Sequence, residues 1–339
     1  MVGTNMTYIN VDNLNVINVE LTDYCNAACP QCARFKWDGS LYQEKTNKNH
    51  TTFELIKNKI PISVIKRLKK FYSVGTYGDP LMNPDTTKIY EYVKQNNNNC
   101  DLEIHSNGGG RDNKFWRSLA EIGVRVVFSI DGLEDTNHLY RRNVNWNKLI
   151  TNIKTFTEAG GDARWKFIIF KHNEHQIEEA REFSKKIGIK SFGTGFSDRW
   201  KEYNWVTGEV RDLIKWPVEG YYIEKPKMQE DKYYDKKSVK VLKAEFNLSK
   251  KIVCWACDAG KNEIYLRANG FVQPCCMLGD LDVHESKELI KDFDSINLNK
   301  SSLEDILNGD YFKELQKGIA GEPNSHRLKN CFYACGVKT

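Results

Sequence analysis

The chain has 339 residues, of which 40% are hydrophobic and 28% charged, with a formal net charge of +5 and a mean hydropathy of −0.60. That length can bury a sizeable core, as one large α/β domain or a core plus a smaller unit, and no apolar run approaches the ~20 residues that cross a bilayer. Lys and Arg alternate with Asp and Glu along most of the chain, which suits a solvated surface and argues against a nucleic-acid groove or a membrane partner.

The ten cysteines would suit a disulfide framework in a short secreted protein. Here the N-terminal "MVGTNMTYIN" lacks a basic region followed by an apolar stretch, so no secretion signal is expected. The expectation is a cytoplasmic protein whose thiols bind metal or act in catalysis. Nine of the ten fall in three clusters, and Cys100 alone reads as a small buried apolar side chain.

From about residue 15 to 196, β-rich runs alternate with helical patterns. The first strand is "NVINVEL" (15–21), followed by the cysteine-rich "TDYCNAACPQCAR" (22–34) and a helical stretch over 53–59. The second is "FYSVGTY" (71–77), leading through "GDPLMNP" to a helix over 86–94. "LEIHSN" (102–107) precedes a glycine run and a helix over 114–122; "VRVVFSI" (124–130) precedes "DG" and a helix over 146–159. "RWKFIIF" (164–170), a helix over 176–187 and "SFGTGF" (191–196) complete the series. Six strands with intervening helices predict a parallel, right-handed (β/α) sheet or partial barrel, with its chemistry at the C-terminal ends of the strands.

Residues 197–253 change character, with many Trp, Tyr, Lys and Glu and prolines at 217 and 226, and read as a connecting segment. "EIYLRANGFVQPCC" (263–276) then reads as a hairpin turning at Asn269-Gly270. Two short helical patterns, over 301–310 and 310–320, lead to "CFYAC" (331–335). The expected organisation is a core over 1–196, a connection over 197–253 and a small C-terminal domain over 254–339.

Cys25, Cys29 and Cys32 lie within eight positions. Three thiols so close can be structural, redox or metal-binding. A structural zinc ion closes its shell with four ligands, and a [4Fe–4S] cluster ordinarily takes a thiolate at each iron. Three thiolates leave one iron open to an external ligand.

This Cys-x3-Cys-x2-Cys loop, placed after the first strand of a (β/α) run, resembles the radical S-adenosylmethionine superfamily. The resemblance implies a partial (β/α)6 TIM-like barrel with a [4Fe–4S] cluster on Cys25, Cys29 and Cys32. The open iron would chelate the amino and carboxylate groups of S-adenosylmethionine, and reductive cleavage would give methionine and a 5'-deoxyadenosyl radical that abstracts hydrogen. A flavodoxin or ferredoxin would supply the electron. Gly78, Asp79 and Pro80 resemble the second half of the family's Gly-Gly-Glu-Pro segment, with Asp79 expected to accept from the methionyl ammonium. His105, Ser106 and Asn107 resemble its Thr-Asn-Gly, and Ser129 and Asp131 its ribose-binding Ser-x-Asp. Gln31 occupies the commonly aromatic place before the third cysteine, so Tyr24, Phe35 and Trp37 are candidates for stacking on adenine.

A second set of four thiols, Cys257, Cys275, Cys331 and Cys335, suits either zinc or an iron–sulfur cluster. Its "Cys-x12-Gly-x4-Cys" element with a late cysteine pair resembles the SPASM and twitch extensions of radical enzymes, which implies one auxiliary [4Fe–4S] cluster. Cys254 and Cys276 are left over, and either could replace a neighbour. A cluster closed by four thiolates suits electron transfer, so a two-electron oxidation or maturation of a peptide, a protein or a small polar molecule is expected. The alternatives are dehydrogenation of a small carbohydrate-like metabolite and a non-catalytic iron–sulfur or zinc adaptor. A radical methyltransferase lacks support, since no cobalamin-binding domain is recognisable. His172, Glu174, His175, Arg141 and Arg142 are strand-end candidates for base or positioning roles.

Overall fold

The structure is a computed structural model, and its described residues are 9–35, 40–41, 47–197, 199–203, 210–212, 223–227, 262–278, 288–320, 322, 325 and 328. Strand β1 (Val16–Val19) lies inside the main sheet, with Ile17 and Val19 fully buried. Strands β2 (Lys70–Ser73), β3 (Asp101–Ser106), β4 (Arg125–Ser129), β5 (Ala163–Ile169) and β6 (Ser191–Phe196) follow it in order, all parallel. The connections are α1 (Phe53–Lys59), α2 (Ile62–Arg67), α3 (Thr86–Asn96), α4 (Asn113–Ile122), α5 (Asn137–Tyr140), α6 (Trp146–Glu158) and α7 (Ile177–Lys186). Among the described residues the sheet is not closed, and the architecture is the expected partial TIM-like barrel.

Alternation along the strands divides the chemistry. Leu102, Ile104, Val126, Phe128, Trp165 and Phe167 are buried, joining Trp116 of α4 and Phe156 of α6 in one apolar core. Trp116 and Phe156 lie edge to face, with ring centres 6.3 Å apart. The intervening positions carry Glu103, His105, Arg125, Ser129 and Lys166, all partly exposed or exposed. Arg125 binds Asp101, Glu103 and Asp162 at 3.0–3.2 Å, and Lys70 reaches Glu103 at 3.0 Å. The hydrogen bond from His105, with those from Lys70 and Arg125, holds the Glu103 carboxyl well below the usual carboxylate range.

Several elements depart from the sequence reading. The second strand stops at Ser73, because Gly75 takes φ +64° and the following backbone turns to a buried carboxylate described below. Helix α2 lies outside the predicted helices; its six residues are too few for a periodic signal.

Within the expected connecting segment, β7 (Lys201–Tyr203) and β8 (Val210–Asp212) form an antiparallel pair. The C-terminal hairpin joins the main sheet. Strand β9 (Glu263–Leu266) runs parallel to β1, from Val16↔Glu263 to Val19↔Leu266, and β10 (Val272–Gln273) is antiparallel to β9. The turn uses Gly270 at φ +92°, where a Cβ would lie 2.1 Å from Asn299 Nδ2. Helices α8 (Leu303–Asn308) and α9 (Asp310–Ala320) follow, and Gln316 of α9 accepts from the Ile9 amide at 2.9 Å. Among the described residues no helix is long and apolar enough to cross a membrane.

Candidate cluster and cofactor site

A cavity of about 550 Å³ opens at the C-terminal ends of the strands. Its walls come from the three-cysteine loop, residues 74–79, His105–Asn107, Ser129, Tyr140, Arg141, Lys166, Ile168, residues 195–197, Arg199 and Cys276. The strand-end loops expected to carry chemistry thus meet in one place.

The cysteine loop is held by its own polar groups. Asp23 accepts from the Asn49 amide and side chain, both at 2.7 Å, while the buried Arg34 donates to Cys25 O at 3.2 Å and Ala27 O at 2.6 Å. Cys25, Cys29 and Cys32 all line the cavity. Donors face their sulfurs: the Ala27 amide and Asn107 Nδ2 lie 3.4 and 3.6 Å from Cys25 Sγ, and Arg141 Nη1 lies 3.6 Å from Cys29 Sγ. Burial raises Cys25 and Cys29 as free thiols, whereas N–H donors and a guanidinium favour the thiolate that a metal takes. Among the described residues no three His, Cys, Asp or Glu side chains converge on a single-ion site. A cluster does not need such convergence, since each thiolate meets its own iron. The donor set therefore fits a [4Fe–4S] cluster.

Gly78 is pressed against this loop, where a Cβ would fall 1.9 Å from Thr22 O and 2.8 Å from Tyr24 O. The Asp79 amide donates to Tyr24 O at 2.9 Å, locking the two segments together. Gly78→Ala is expected to cost about 3 kcal/mol, the upper end for overpacking, because its collision is with backbone; thermal denaturation of the variant checks this.

Asp79 is buried and accepts from Ser106 Oγ (2.8 Å), the Asn107 amide (2.7 Å) and the Leu81 amide (3.2 Å). Burial raises its pKa against these hydrogen bonds. Asn107 donates to Asn26 Oδ1 at 2.9 Å as well as facing Cys25, so it ties the third strand's loop to the cysteine loop. His105 and Ser129 both line the cavity, Ser129 in register with Lys166 of β5.

Asp131 stands behind the cavity wall. It is fully buried, Oδ1 accepting from the Ile168 amide and Oδ2 from Arg141 Nε, each at 2.6 Å. It thereby holds Arg141, which lines the cavity. Gln31 is also buried, accepting from Ser197 Oγ at 2.6 Å. Tyr24 is exposed beside Lys48 and Phe35 is buried under Arg34; neither lines the cavity, and Trp37 lies outside the described residues. The aromatic rings in the wall are Tyr77, Tyr140 and Phe196. His172 stacks on Phe170, and burial holds its pKa down to about 4; it, Glu174, His175 and Arg142 lie outside the wall.

Sequence reasoning missed Lys166, Arg199 and Tyr77 as wall residues. Lys166 had a signal, as a charge within the apolar strand "RWKFIIF". Of the second cysteine set, Cys275 is buried, and its neighbour Cys276 reaches the cavity, with burial pushing its pKa up to about 12. Cys254, Cys257, Cys331 and Cys335 lie outside the described residues.

The chain is similar to known proteins in both its parts. The radical SAM superfamily pattern matches residues 19–186, and that of the SPASM iron–sulfur cluster-binding domain matches 257–336. GTP 3',8-cyclase of Aquifex aeolicus is 25% identical over 232 residues, covering 66% of this chain and 70% of that protein. An uncharacterised protein of Methanocaldococcus jannaschii, MJ0907, is 28% identical over 129 residues, covering 37% of this chain and 41% of that one. Among solved structures, Streptococcus suis SuiB bound to its precursor peptide SuiA superposes with a TM-score of 0.55 at 16% identity, covering 88% of this chain and 65% of SuiB. This chain thus spans just under two thirds of SuiB. Native anSMEcpe with bound AdoMet and the Cp18Cys peptide superposes with a TM-score of 0.55 at 12% identity, covering 95% of this chain and 87% of that one. At these identities the structural likeness shows the shared fold. With both patterns in place and three thiols at one cavity, the chain belongs to the radical SAM superfamily and carries a C-terminal SPASM domain.

Proposed function

We propose that the protein oxidises a peptide or protein substrate by two electrons, with one auxiliary [4Fe–4S] cluster as electron acceptor. The observation that carries this reading is Cys276, which lines the same cavity as Cys25, Cys29 and Cys32. A substrate held there would touch both the three-cysteine loop and the residue next to Cys275 of the second set. The peptides bound by SuiB and anSMEcpe support the substrate class.

Cys25, Cys29 and Cys32 would hold the first cluster, and Cys275 with Cys257, Cys331 and Cys335 the second. When bound, the first cluster and S-adenosylmethionine supply a 5'-deoxyadenosyl radical that abstracts hydrogen. The chain's own residues orient the cofactor. Asp79 supplies negative charge for the methionyl ammonium, and Ser129, Lys166 and Arg141 supply a hydroxyl and two cations for its carboxylate. Asp131 fixes the guanidinium of Arg141 through the 2.6 Å ion pair. Gly78 keeps the residue-74 loop close to the cysteines, and Asn107 and His105 complete that wall. A flavodoxin or ferredoxin would serve as reductant.

Asp79→Asn turns an amide N–H2 toward donors that now face a carboxylate. It is expected to raise the KM for S-adenosylmethionine about 10- to 100-fold, in line with the about 1.5–3 kcal/mol of a charged hydrogen bond; steady-state 5'-deoxyadenosine formation measures it. The substrate reading is tested by giving the reduced, reconstituted protein separated peptide and small-molecule fractions of a cell extract. A peptide two mass units lighter, formed with stoichiometric 5'-deoxyadenosine, is expected. Consumption of a small molecule in its place would overturn the peptide assignment.

A further inference from the structure

A buried carboxylate joins the C-terminal hairpin to the cofactor loop. Glu20, just after β1, is 2% exposed. Its Oε1 accepts from the amides of Tyr77 (3.0 Å) and Gly78 (2.9 Å), and its Oε2 from the Thr76 amide (2.9 Å) and Tyr265 Oη (2.6 Å). Its own amide donates to Leu266 O at 2.7 Å. Tyr265 belongs to β9, 245 positions away in sequence, and is fully buried. An unpaired carboxylate at this depth would be strongly disfavoured, and four converging donors are what make it tolerable.

We propose that Glu20 and Tyr265 are positioning residues through which the C-terminal domain sets the S-adenosylmethionine pocket. Three consecutive N–H groups of the loop point at Glu20. In a trans peptide the C=O is antiparallel to the N–H, so the carbonyls of Gly75, Thr76 and Tyr77 turn away from Glu20, and all three residues line the cavity. Glu20 thereby fixes the backbone of a loop that lines the cavity, and Tyr265 fixes Glu20. The loop is anchored from below by a side chain that the hairpin supplies.

The inference rests on the cofactor site and is independent of the substrate. A second tyrosine serves as control: Tyr72 of β2 donates to Glu263 of β9 at 2.6 Å, an equivalent bond across β1 that does not touch the loop. The experiment uses the full-length, reconstituted, dithionite-reduced protein with S-adenosylmethionine alone. Steady-state release of 5'-deoxyadenosine, resolved into KM and kcat, is recorded together with iron content for wild type, Tyr265→Phe and Tyr72→Phe. Tyr265→Phe is expected to raise KM about tenfold, the loss of one charge-assisted hydrogen bond, with turnover and iron content within twofold. Tyr72→Phe is expected to leave KM within twofold. A Tyr265→Phe KM within twofold of wild type overturns the proposal, as does an equal rise in Tyr72→Phe, which would mean that the hairpin acts only by docking. Should Tyr265→Phe fail to fold, Glu20→Asp keeps the charge but cannot reach both the loop and the hydroxyl. An unchanged KM there is equally fatal. A wild-type protein that cleaves S-adenosylmethionine yet oxidises no peptide removes the substrate reading and leaves this one standing.

Discussion

Replacing Cys25, Cys29 or Cys32 singly by Ala is expected to reduce 5'-deoxyadenosine formation to background while the sheet stays folded. The activity loss follows from chemistry: with two thiolates the cluster has a second iron without a protein ligand, and the geometry that leaves one iron open is gone. The fold survives because the loop does not depend on the thiols for its shape. Arg34 ties Cys25 O to Ala27 O, Asp23 ties the loop to Asn49, and the Cys32 amide donates to Cys29 O at 3.0 Å. Far-UV circular dichroism and 5'-deoxyadenosine assays on the same preparations check both halves. Wild-type activity in all three variants would end the assignment of this loop as cluster ligands.

The second large effect belongs to the other cysteine set. Cys275→Ala is expected to spare cleavage of S-adenosylmethionine without substrate and to block substrate oxidation, because under the proposed function the electron left after hydrogen abstraction would lose its acceptor. Cys275 is buried next to β10, and the hairpin is held by the β1–β9 pairing and by hydrogen bonds of Tyr265 and Glu263. Uncoupled cleavage with no modified product is the predicted pattern in a mass-spectrometric assay. Loss of the folded state in this variant would instead make the second centre structural.

The six parallel strands were legible because each is a short apolar run between polar loops, and a buried parallel strand leaves that pattern. The triplet was legible from spacing alone. Local periodicity was silent where a distant group decides the backbone. The second strand reads as extended through Tyr77, yet Glu20 captures three amides after Gly75 and ends it early. Asp131 reads as a strand-end carboxylate facing the cofactor. That Arg141 folds back onto it from ten residues on depends on α5, a four-residue helix too short to predict. The Glu20–Tyr265 bond joins groups 245 positions apart, and only the pairing of β9 with β1 brings them together.

Iron and sulfide content after anaerobic reconstitution, with zinc measured in the same samples, tests the two-centre account most directly. Wild type is expected to hold about eight irons and the Cys25, Cys29, Cys32 triple Ala variant about four, one [4Fe–4S] cluster per cysteine set. About four irons in wild type falling to none in the variant, with one zinc retained in both, would contradict it and remove the electron-acceptor role from the C-terminal domain.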